Sequence, residues 1–228
     1  MARSESGEQD LTGTTAQSRE WSGAFGKAYT NRNPDTAPAM DELHASQFGV
    51  TRSELNRRFL DALDREARIL EVGTNVGVQL ALLSELGFRH LVGVDVQFYA
   101  LDQAGRRGRQ AMLAQASAFA LPFRDASFDL VFTSGVLIHL SPETIGQALT
   151  EIHRCSRRFV WGWEYYAEGH VEVPYRNRRG LLWKGDFAGM YLEQFPEFRC
   201  VREERLPYLE GDNVDTMFLL EKKRNRVL

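Results

Sequence analysis

The fold is decided by the stretch Ile69-Leu70-Glu71-Val72-Gly73-Thr74-Asn75-Val76-Gly77. An apolar run ends in an acid, two glycines four residues apart follow, and an apolar-periodic segment begins at Val76. This order is typical of a strand, a tight turn and a helix. Because glycine has no Cβ, the backbone of such a turn can approach a nucleotide-like ligand closely.

The glycine spacing distinguishes this turn from the dinucleotide-binding fingerprint. In the fingerprint the first two glycines are two residues apart, whereas here Asn75 lies midway between Gly73 and Gly77. A nicotinamide-dependent dehydrogenase is therefore disfavoured.

The turn belongs to an alternation of strands and helices. Strands are predicted at 68–72, 91–95, 111–114, 128–132 and 159–163, and helices at 76–86, 98–107 and 142–155, the last with Ser141 as its N-cap. Such an alternation indicates an α/β fold with a parallel, doubly wound sheet. Beyond it we expect a polar-aromatic segment at 165–185 and a helix at 187–195. Two final strands at 198–206 and 216–222, joined by a polar turn at 210–213, should form an antiparallel edge hairpin.

The region before the alternation divides into two parts. Residues 1–18 are rich in Ser, Glu, Gly, Thr and Gln and are expected to form a disordered leader. Residues 19–66 are expected to form a helical cap. Its first helix carries Trp21, Phe25 and Tyr29 on one face and ends at Asn33-Pro34. Further helices are predicted at 39–48 and at 51–63, the latter opened by a Thr51–Glu54 capping box.

Composition bounds the class of protein. The chain has 228 residues, a formal net charge of -3 and a pI near 6.0, which disfavours nucleic acid as a partner. Its two cysteines cannot form a thiolate zinc cage, and its five histidines show no metal-ligand spacing. No apolar stretch approaches the ~20 residues of a membrane span, and no signal-peptide core is evident. A cytoplasmic enzyme without a metal or a membrane partner is expected.

Two further motifs follow the strand ends. Asp95 ends the second strand eighteen residues after Gly77, where an acid can accept both hydroxyls of a ribose, although a surface aspartate can also simply close a strand. Ser117-Ala-Phe-Ala-Leu-Pro-Phe123 follows the third strand as a stiff loop. Its backbone N–H groups and the Ser117 side chain could meet an adenine edge.

Together these motifs resemble the class I S-adenosylmethionine-dependent methyltransferases, in register from residue 68 to 163. The resemblance implies a Rossmann-like seven-stranded sheet of order 3-2-1-4-5-7-6 with its last strand antiparallel. It also implies a methyltransferase domain over 67–228, with a cofactor half at 67–163 and an acceptor half at 164–228. It implies S-adenosyl-L-methionine as cofactor and S-adenosyl-L-homocysteine as product. Two positions depart from the family pattern, since Asn75 replaces a glycine and Ser117 replaces an acid.

The predicted cofactor-binding residues follow from this resemblance and from the N-terminal helix. They are Tyr29, Arg32, Glu71, Gly73, Thr74, Asn75, Gly77, Asp95, Val96, Ser117, Ala118, Phe119, Thr133 and Ser134. The glycine turn should face the methionine part, Asp95 the ribose and 117–119 the adenine. The N-terminal aromatic helix is predicted to be a lid, with Arg32 as a candidate for the cofactor carboxylate.

A narrower resemblance comes from the flanks. Trp21-x-x-x-Phe25-Gly-x-x-Tyr29-Thr-x-Arg32-Asn33, Ser134-Gly-Val-Leu-Ile-His139, Glu164-Tyr-Tyr166 and Val171-Glu-Val-Pro-Tyr-Arg176 are similar to the pseudaminic acid biosynthesis-associated methylases. That resemblance covers nearly the whole chain after residue 20 but does not define the acceptor.

Acceptor residues are expected over the carboxyl ends of the fourth and fifth strands. His139 and Glu164 are the candidates for a general base. Alternatively, His139 only bonds to the backbone and Glu164 is only a solvated carboxylate. Contacts to the acceptor are predicted for Tyr165, Tyr166, Arg176 and Arg178. The arginines would suit an anionic group of the acceptor, and the alternative is that they form a solvated basic loop.

The sequence thus predicts methyl transfer to O or N of a small-molecule acceptor, such as a sugar-like or natural-product intermediate, by a monomer or homodimer. Two alternatives remain open. One is a methyltransferase that acts on a macromolecule, and the other is a non-catalytic partner protein that binds the cofactor.

Overall fold

The computed structural model describes residues 16–108 and 110–223. Most of the predicted leader lies outside these residues, and its end at 16–18 already belongs to the first helix. The helices are α1 Ala16–Ser22, α2 Ala24–Thr30, α3 Ala37–Phe48, α4 Arg52–Leu60, α5 Val78–Glu85, α6 Phe98–Arg106, α7 Ile145–Cys155 and α8 Phe187–Gln194. The strands are β1 Arg68–Val72, β2 His90–Asp95, β3 Met112–Gln115, β4 Phe128–Ser134, β5 Ser156–Tyr165, β6 Val171–Glu172, β7 Trp183–Lys184, β8 Phe198–Pro207 and β9 Val214–Lys222.

Seven of the strands form one sheet in the order β3-β2-β1-β4-β5-β9-β8. The first five are parallel, and β9 runs antiparallel to both β5 and β8. Strands β6 and β7 form a small separate hairpin inside the predicted polar-aromatic segment. With these two left out of the numbering, the order of the sheet is the predicted 3-2-1-4-5-7-6. The α/β fold class and the edge hairpin are therefore confirmed.

Apolar cores cover both faces of the sheet. On one face, Leu149 and Ile152 of α7 and Tyr191 of α8 pack into the same cluster as Val131 and Val160. On the other face, residues of α4 and α5, such as Leu55 and Leu80, pack with Ile69, Leu130 and Trp161. Central parallel strands are covered on both faces in this way, so their sequences read as continuous apolar runs.

Three predicted helices differ from the structure at their ends. The N-terminal helix is bent into α1 and α2 at Gly23, where the backbone is extended, and α4 ends at Leu60 rather than at residue 63. Helix α7 begins at Ile145, so Ser141 is not its N-cap. Residues 141–144 form a turn instead, because the Ser141 carbonyl accepts from Thr144 and Ile145 and its hydroxyl meets that of Thr144 at 3.2 Å.

Candidate active site

A cavity of about 410 Å³ lies over the carboxyl ends of the central strands, beneath α1, α2 and α3. Most of the predicted site residues line it. They are Tyr29, Glu71, Gly73, Thr74, Asn75, Asp95, Val96, Ser117, Ala118, Phe119, Ser134, His139 and Tyr165. The carboxyl edge of a parallel sheet is the place where such folds bind ligands.

The glycine turn lies at the end of β1. Gly73 has a φ of +79°, and a Cβ there would lie 2.4 Å from the Val136 side chain, so only glycine fits. Gly77, at φ +70°, is the residue before α5 and does not line the cavity. Asn75 lies between them at φ +49°, a conformation that asparagine tolerates better than most residues. Its Oδ1 is buried and has no hydrogen-bond partner within the described residues.

Glu71 is a buried acid at the start of this turn, with 3% of its surface exposed. Its carboxylate accepts a hydrogen bond from the Thr74 hydroxyl at 2.6 Å. Burial raises the pKa of Glu71 to about 8, against the opposing effects of Thr74 and the Arg52 charge.

Asp95 holds the neighbouring loops together at the end of β2. Its two carboxylate oxygens accept from the backbone N–H groups of Asn75 at 2.8 Å and Gln97 at 2.7 Å. Burial raises the pKa of Asp95, and these backbone bonds partly offset that effect. The Val96 N–H also bonds this carboxylate, which leaves one of its roughly four lone pairs free to accept from a ligand hydroxyl.

The loop after β3 provides the opposite end of the cavity. The Ser117 hydroxyl accepts from the Phe119 N–H at 3.2 Å, and the Phe119 carbonyl accepts from the Gln147 amide at 3.0 Å. These bonds fix a turn with Ala118 at its centre and buried Phe119 behind it. The hydroxyl of Ser117 therefore organises the loop that was predicted to meet an adenine.

His139 lies in a short 3₁₀ turn, Leu137–His139, after β4. Its Nδ1 donates to the Leu181 carbonyl at 2.8 Å, and its Nε2 makes no hydrogen bond within the described residues. Burial lowers the pKa of His139 to about 4, so the ring is neutral near pH 7. The ring centroids of Trp21 and Tyr29 lie 4.1 and 6.1 Å from that of His139.

Glu164 is fully buried and does not line the cavity. Its carboxylate accepts from the backbone N–H groups of Val136 and Ile138, each at 3.3 Å, and from the Thr133 hydroxyl. Burial raises the pKa of Glu164 to about 7. The geometry gives this acid a positioning role beneath the loop that carries His139, and it provides no path to an acceptor.

Several other predicted residues also lie away from the cavity lining, namely Arg32, Gly77, Thr133, Tyr166, Arg176 and Arg178. Arg32 is exposed, and Arg178 is exposed and pairs with Glu20 at 2.9 Å. The guanidinium of Arg176 lies over the Tyr175 ring, and that of Arg205 over the Tyr166 ring.

The cavity also contains residues that the sequence did not single out. Arg52, at the start of α4, is only 2% exposed and lines the cavity with His44 and Asp215. Gln97 donates its side-chain amide to the carbonyls of Trp21 and Gly23. No pattern signals these roles, because each depends on contacts between elements that are distant in sequence.

Comparison with known proteins identifies a domain that contributes to this cavity. Residues 70–158 match the family described as "Methyltransferase domain". Residues 70–158 therefore form a methyltransferase domain, and the described chain around them has the Rossmann-like α/β fold.

One curated relative agrees with the domain match. A predicted methyltransferase of Encephalitozoon cuniculi is 30% identical over 130 residues, which are 52% of this chain and 59% of that protein. The chain thus spans less than two thirds of that relative. The comparisons do not confirm the narrower resemblance to the pseudaminic acid-associated methylases.

Two solved structures share the fold. A methyltransferase of Haloferax volcanii, solved with the activator Trm112, has a TM-score of 0.68 at 15% identity and covers 93% of this chain and 100% of its own. The 1,6-didemethyltoxoflavin-N1-methyltransferase of Burkholderia thailandensis, solved with S-adenosylhomocysteine, has a TM-score of 0.60 at 20% identity over 87% of this chain and 83% of its own.

The residues that line the cavity are compatible with the S-adenosylmethionine that the sequence resemblance implies. The glycine turn permits close approach of the backbone, and Asp95 offers a carboxylate acceptor at the end of β2. The buried Oδ1 of Asn75 has no donor among the described residues. Among the described residues, no group of three or more His, Cys, Asp or Glu side chains could hold a metal ion. Within the same residues, no helix is long and apolar enough to cross a membrane.

Proposed function

We propose that the chain transfers a methyl group from S-adenosylmethionine to an oxygen or nitrogen of a small-molecule acceptor. One observation carries the proposal. The cavity that holds the glycine turn, Asp95 and Ser117–Phe119 also holds His139, whose Nε2 makes no hydrogen bond to any described residue. The methyltransferase domain match supports the reaction class. We further propose that the protein acts in the cytoplasm as a monomer or homodimer.

The bound cofactor would supply an electrophilic methyl group on a sulfonium. The chain itself would orient the two reactants and exclude water from the space between them. Because Nδ1 of His139 is committed to the Leu181 carbonyl, Nε2 is the nitrogen available to take a proton from a hydroxyl or ammonium acceptor. The Leu181 bond also fixes the ring orientation and the tautomer.

Helices α1 and α2 form the proposed lid. Gln17 of α1 donates to the His139 and Gly180 carbonyls and accepts from the Ser141 N–H, while Trp21 packs against the His139 ring. The lid thus encloses the proposed base with aromatic surface, which suits a small acceptor better than a polymer chain. A sugar-like acceptor remains a proposal that rests on the narrower sequence resemblance.

The proposed base is tested by His139→Asn. Asparagine can retain a donor near the Nδ1 position but offers no titratable nitrogen, so methyl transfer should fall by about 10²- to 10⁴-fold while S-adenosylhomocysteine affinity stays constant. Turnover is measured as the gain of one methyl mass in a panel of hydroxyl and amine acceptors. Glu164→Gln, which keeps the buried volume, is the matched control.

The outcomes separate the alternatives. Wild-type turnover retained by His139→Asn excludes His139 as base, whereas equal losses in both variants would indicate a structural effect on the loop. Binding of S-adenosylhomocysteine without turnover on any acceptor would favour the non-catalytic partner protein. Failure of the wild type to bind either sulfur cofactor would refute the proposed function itself.

A further inference from the structure

The cavity extends across the edge of the sheet from the glycine turn to β9. The residues that line this β9 end are His44, Gln47, Phe48, Trp163, Tyr165, Tyr208 and Asp215. Asp215 pairs with Tyr165, and its strand lies three places from β1 in the sheet order β1-β4-β5-β9. At the usual strand spacing of ~4.8 Å, Asp215 lies roughly 14 Å from β1. The β9 end is therefore separate from the glycine turn and leaves room for a second reactant.

Asp215 is a buried acid with an unused hydrogen-bond acceptor. Its surface is 2% exposed, and its Oδ2 accepts from the Trp163 indole N–H at 2.8 Å. Its Oδ1 is buried and has no hydrogen-bond partner among the described residues. Burial raises the pKa of Asp215 to about 7, and the Trp163 bond, the Arg52 charge and the Tyr208 hydroxyl only partly oppose this rise. A buried carboxylate oxygen without a donor is costly, so Oδ1 indicates a ligand group that donates a proton.

The described side chains that line the cavity include more acids than cations. The one cation is Arg52, and the acids are Glu71, Asp95 and Asp215. A sulfonium beside a zwitterionic amino acid gives the proposed cofactor a single net positive charge. In their ionised forms, the three acids therefore exceed the charges of Arg52 and the cofactor by one.

Arg52 is shared among these acids and is not committed to Asp215. Its guanidinium donates to Asn56 and Ser134 and makes no ion pair with Asp215. Burial lowers the pKa of Arg52 to about 9, and the charges of four acids oppose this effect, those of Glu71 and Asp215 foremost. Because Asp215 is three strands from β1, the missing positive charge is best placed at the β9 end.

Aromatic rings line the same end of the cavity. The Phe48 ring packs edge-on against those of Trp163 and Tyr208, with centroid distances of 5.2 and 4.6 Å. His44 packs against Trp163 at 4.8 Å, and burial, together with the Arg52 charge, lowers the pKa of His44 to about 2, so its ring is neutral. Aromatic faces attract an ammonium, and a dry site strengthens its pairing with a carboxylate. The β9 end therefore suits a cationic group and disfavours an anionic one.

We propose that Asp215 determines the specificity for the acceptor by binding a protonated amino group of it, beside the rings of Phe48 and Tyr208. This inference rests on the proposed function and narrows its acceptor to an amine. It replaces the anionic group that the sequence suggested, because Arg176 and Arg178, which would bind such a group, lie outside the cavity lining.

Three matched probes test the inference on the full chain saturated with S-adenosylhomocysteine. They are 2-phenylethylamine, 2-phenylethanol and 3-phenylpropanoate, which carry an ammonium, a hydroxyl and a carboxylate on the same aromatic ring and two-carbon chain. A charge-assisted hydrogen bond corresponds to about 10- to 100-fold in affinity. In calorimetry, the wild type should bind the amine that much more tightly than the alcohol, and the carboxylate should bind most weakly.

Asp215→Asn should remove this preference. The amide keeps the side-chain volume and an acceptor for the Trp163 indole but loses the charge, so amine affinity should fall by about 10- to 100-fold while alcohol affinity stays within about twofold. Asp212→Asn is the matched control, because Asp212 is exposed in the connection between β8 and β9, and it should bind all three probes like the wild type. Both variants should bind S-adenosylhomocysteine normally, and a thermal melt establishes that each is folded.

The wild-type comparison needs no variant, so it decides the question even if Asp215→Asn does not fold. A wild type that binds the alcohol or the carboxylate as tightly as the amine, or that binds none of the probes at millimolar concentration, would overturn the inference. So would folded Asp215→Asn that keeps its amine affinity or loses amine and alcohol binding equally. Wild-type protein that does not bind S-adenosylhomocysteine would instead refute the proposed function.

Discussion

At the scale of single residues, Glu71 is the group whose charge should change when the cofactor binds. Burial raises the pKa of Glu71 to about 8, so the side chain is mostly protonated at pH 7 in the free protein. Of its charged neighbours, Arg52 lowers this pKa and Asp95 raises it. An ammonium placed beside it would favour the ionised form. Binding should therefore release a proton, and affinity should rise as pH rises from 6 to 7.5.

Calorimetry of S-adenosylhomocysteine binding at pH 7, in two buffers of different ionisation enthalpy, measures this proton release directly. Glu71→Gln cannot ionise, so its binding enthalpy should not depend on the buffer and its affinity should be lower. Identical buffer dependence in the variant and the wild type would assign the proton to another group.

Asp95 and His139 could be placed from the sequence because both follow strand ends, and parallel strands bring their carboxyl ends to one edge. The same rule did not place Glu164. Successive side chains of β5 alternate between the two faces, and Trp163 and Tyr165 line the cavity whereas Glu164 is bonded beneath the His139 loop. A strand end defines the edge of the sheet but not which side chains reach the ligand.

At the scale of elements, the proposed lid is joined to the cofactor side of the cavity through Gln97. Its backbone N–H binds Asp95, and its side-chain amide donates to the carbonyls of Trp21 and Gly23 at the bend between α1 and α2. The bend itself is tight, because a Cβ at Gly26 would lie 1.7 Å from the Trp21 carbonyl oxygen. One residue therefore contacts both Asp95 and the proposed lid.

Gln97→Ala should loosen the lid without disturbing the sheet. The variant loses both side-chain bonds to the lid but keeps the backbone bond to Asp95, so amide hydrogen exchange should increase in 16–30 and stay unchanged in β1 and β4. Affinity for S-adenosylhomocysteine should fall by roughly two- to tenfold, the equivalent of about one net hydrogen bond. Gln110→Ala, at an exposed position in the connection between α6 and β3, is the control, and unchanged exchange in the lid would contradict the coupling.

The aromatic spacing of Trp21, Phe25 and Tyr29 predicted a helix but not its bend at Gly23. The three rings still meet, with centroids 5.1 and 5.2 Å from that of Trp21, because α2 turns back over the cavity. The burial of Arg52 could not be predicted from the sequence for a related reason. At the start of a capped helix an arginine is normally solvated, and only the packing of α4 against β4 and β5 buries it.

At the scale of the whole molecule, the parallel sheet could be predicted because its buried strands read as apolar runs punctuated by glycine and acid. The two-residue strands β6 and β7 could not be predicted, because strands this short show no alternating pattern of apolar and polar residues. That hairpin carries Leu181, whose carbonyl orients His139, so a functional contact arises from the segment with the weakest sequence signal.

The buried acids of the cavity region also shape how the stability of the entire chain depends on pH. Burial raises the pKa of Glu71 to about 8 and those of Glu164 and Asp215 to about 7, above the unfolded values of 4.5 and 3.8. Stability from a raised acid is complete below its unfolded pKa and is lost as pH rises through the folded value. His44 and His139, with lowered pKa values, lose their contribution only below the ordinary histidine value of 6.5.

Between pH 6.5 and 8.5 the acids therefore dominate, and the free energy of unfolding of the ligand-free protein should fall with rising pH by on the order of 1–2 kcal/mol per pH unit. Urea unfolding followed across this range measures the slope. Glu71→Gln mimics the protonated form and should remove the contribution of Glu71 to the slope of the unfolding free energy against pH. In the wild type, saturating S-adenosylhomocysteine should also reduce this slope, because the bound ammonium stabilises the ionised acid. Parallel curves for the variant and the wild type would mean that Glu71 is already ionised in the free protein, which would remove the proton release predicted for binding.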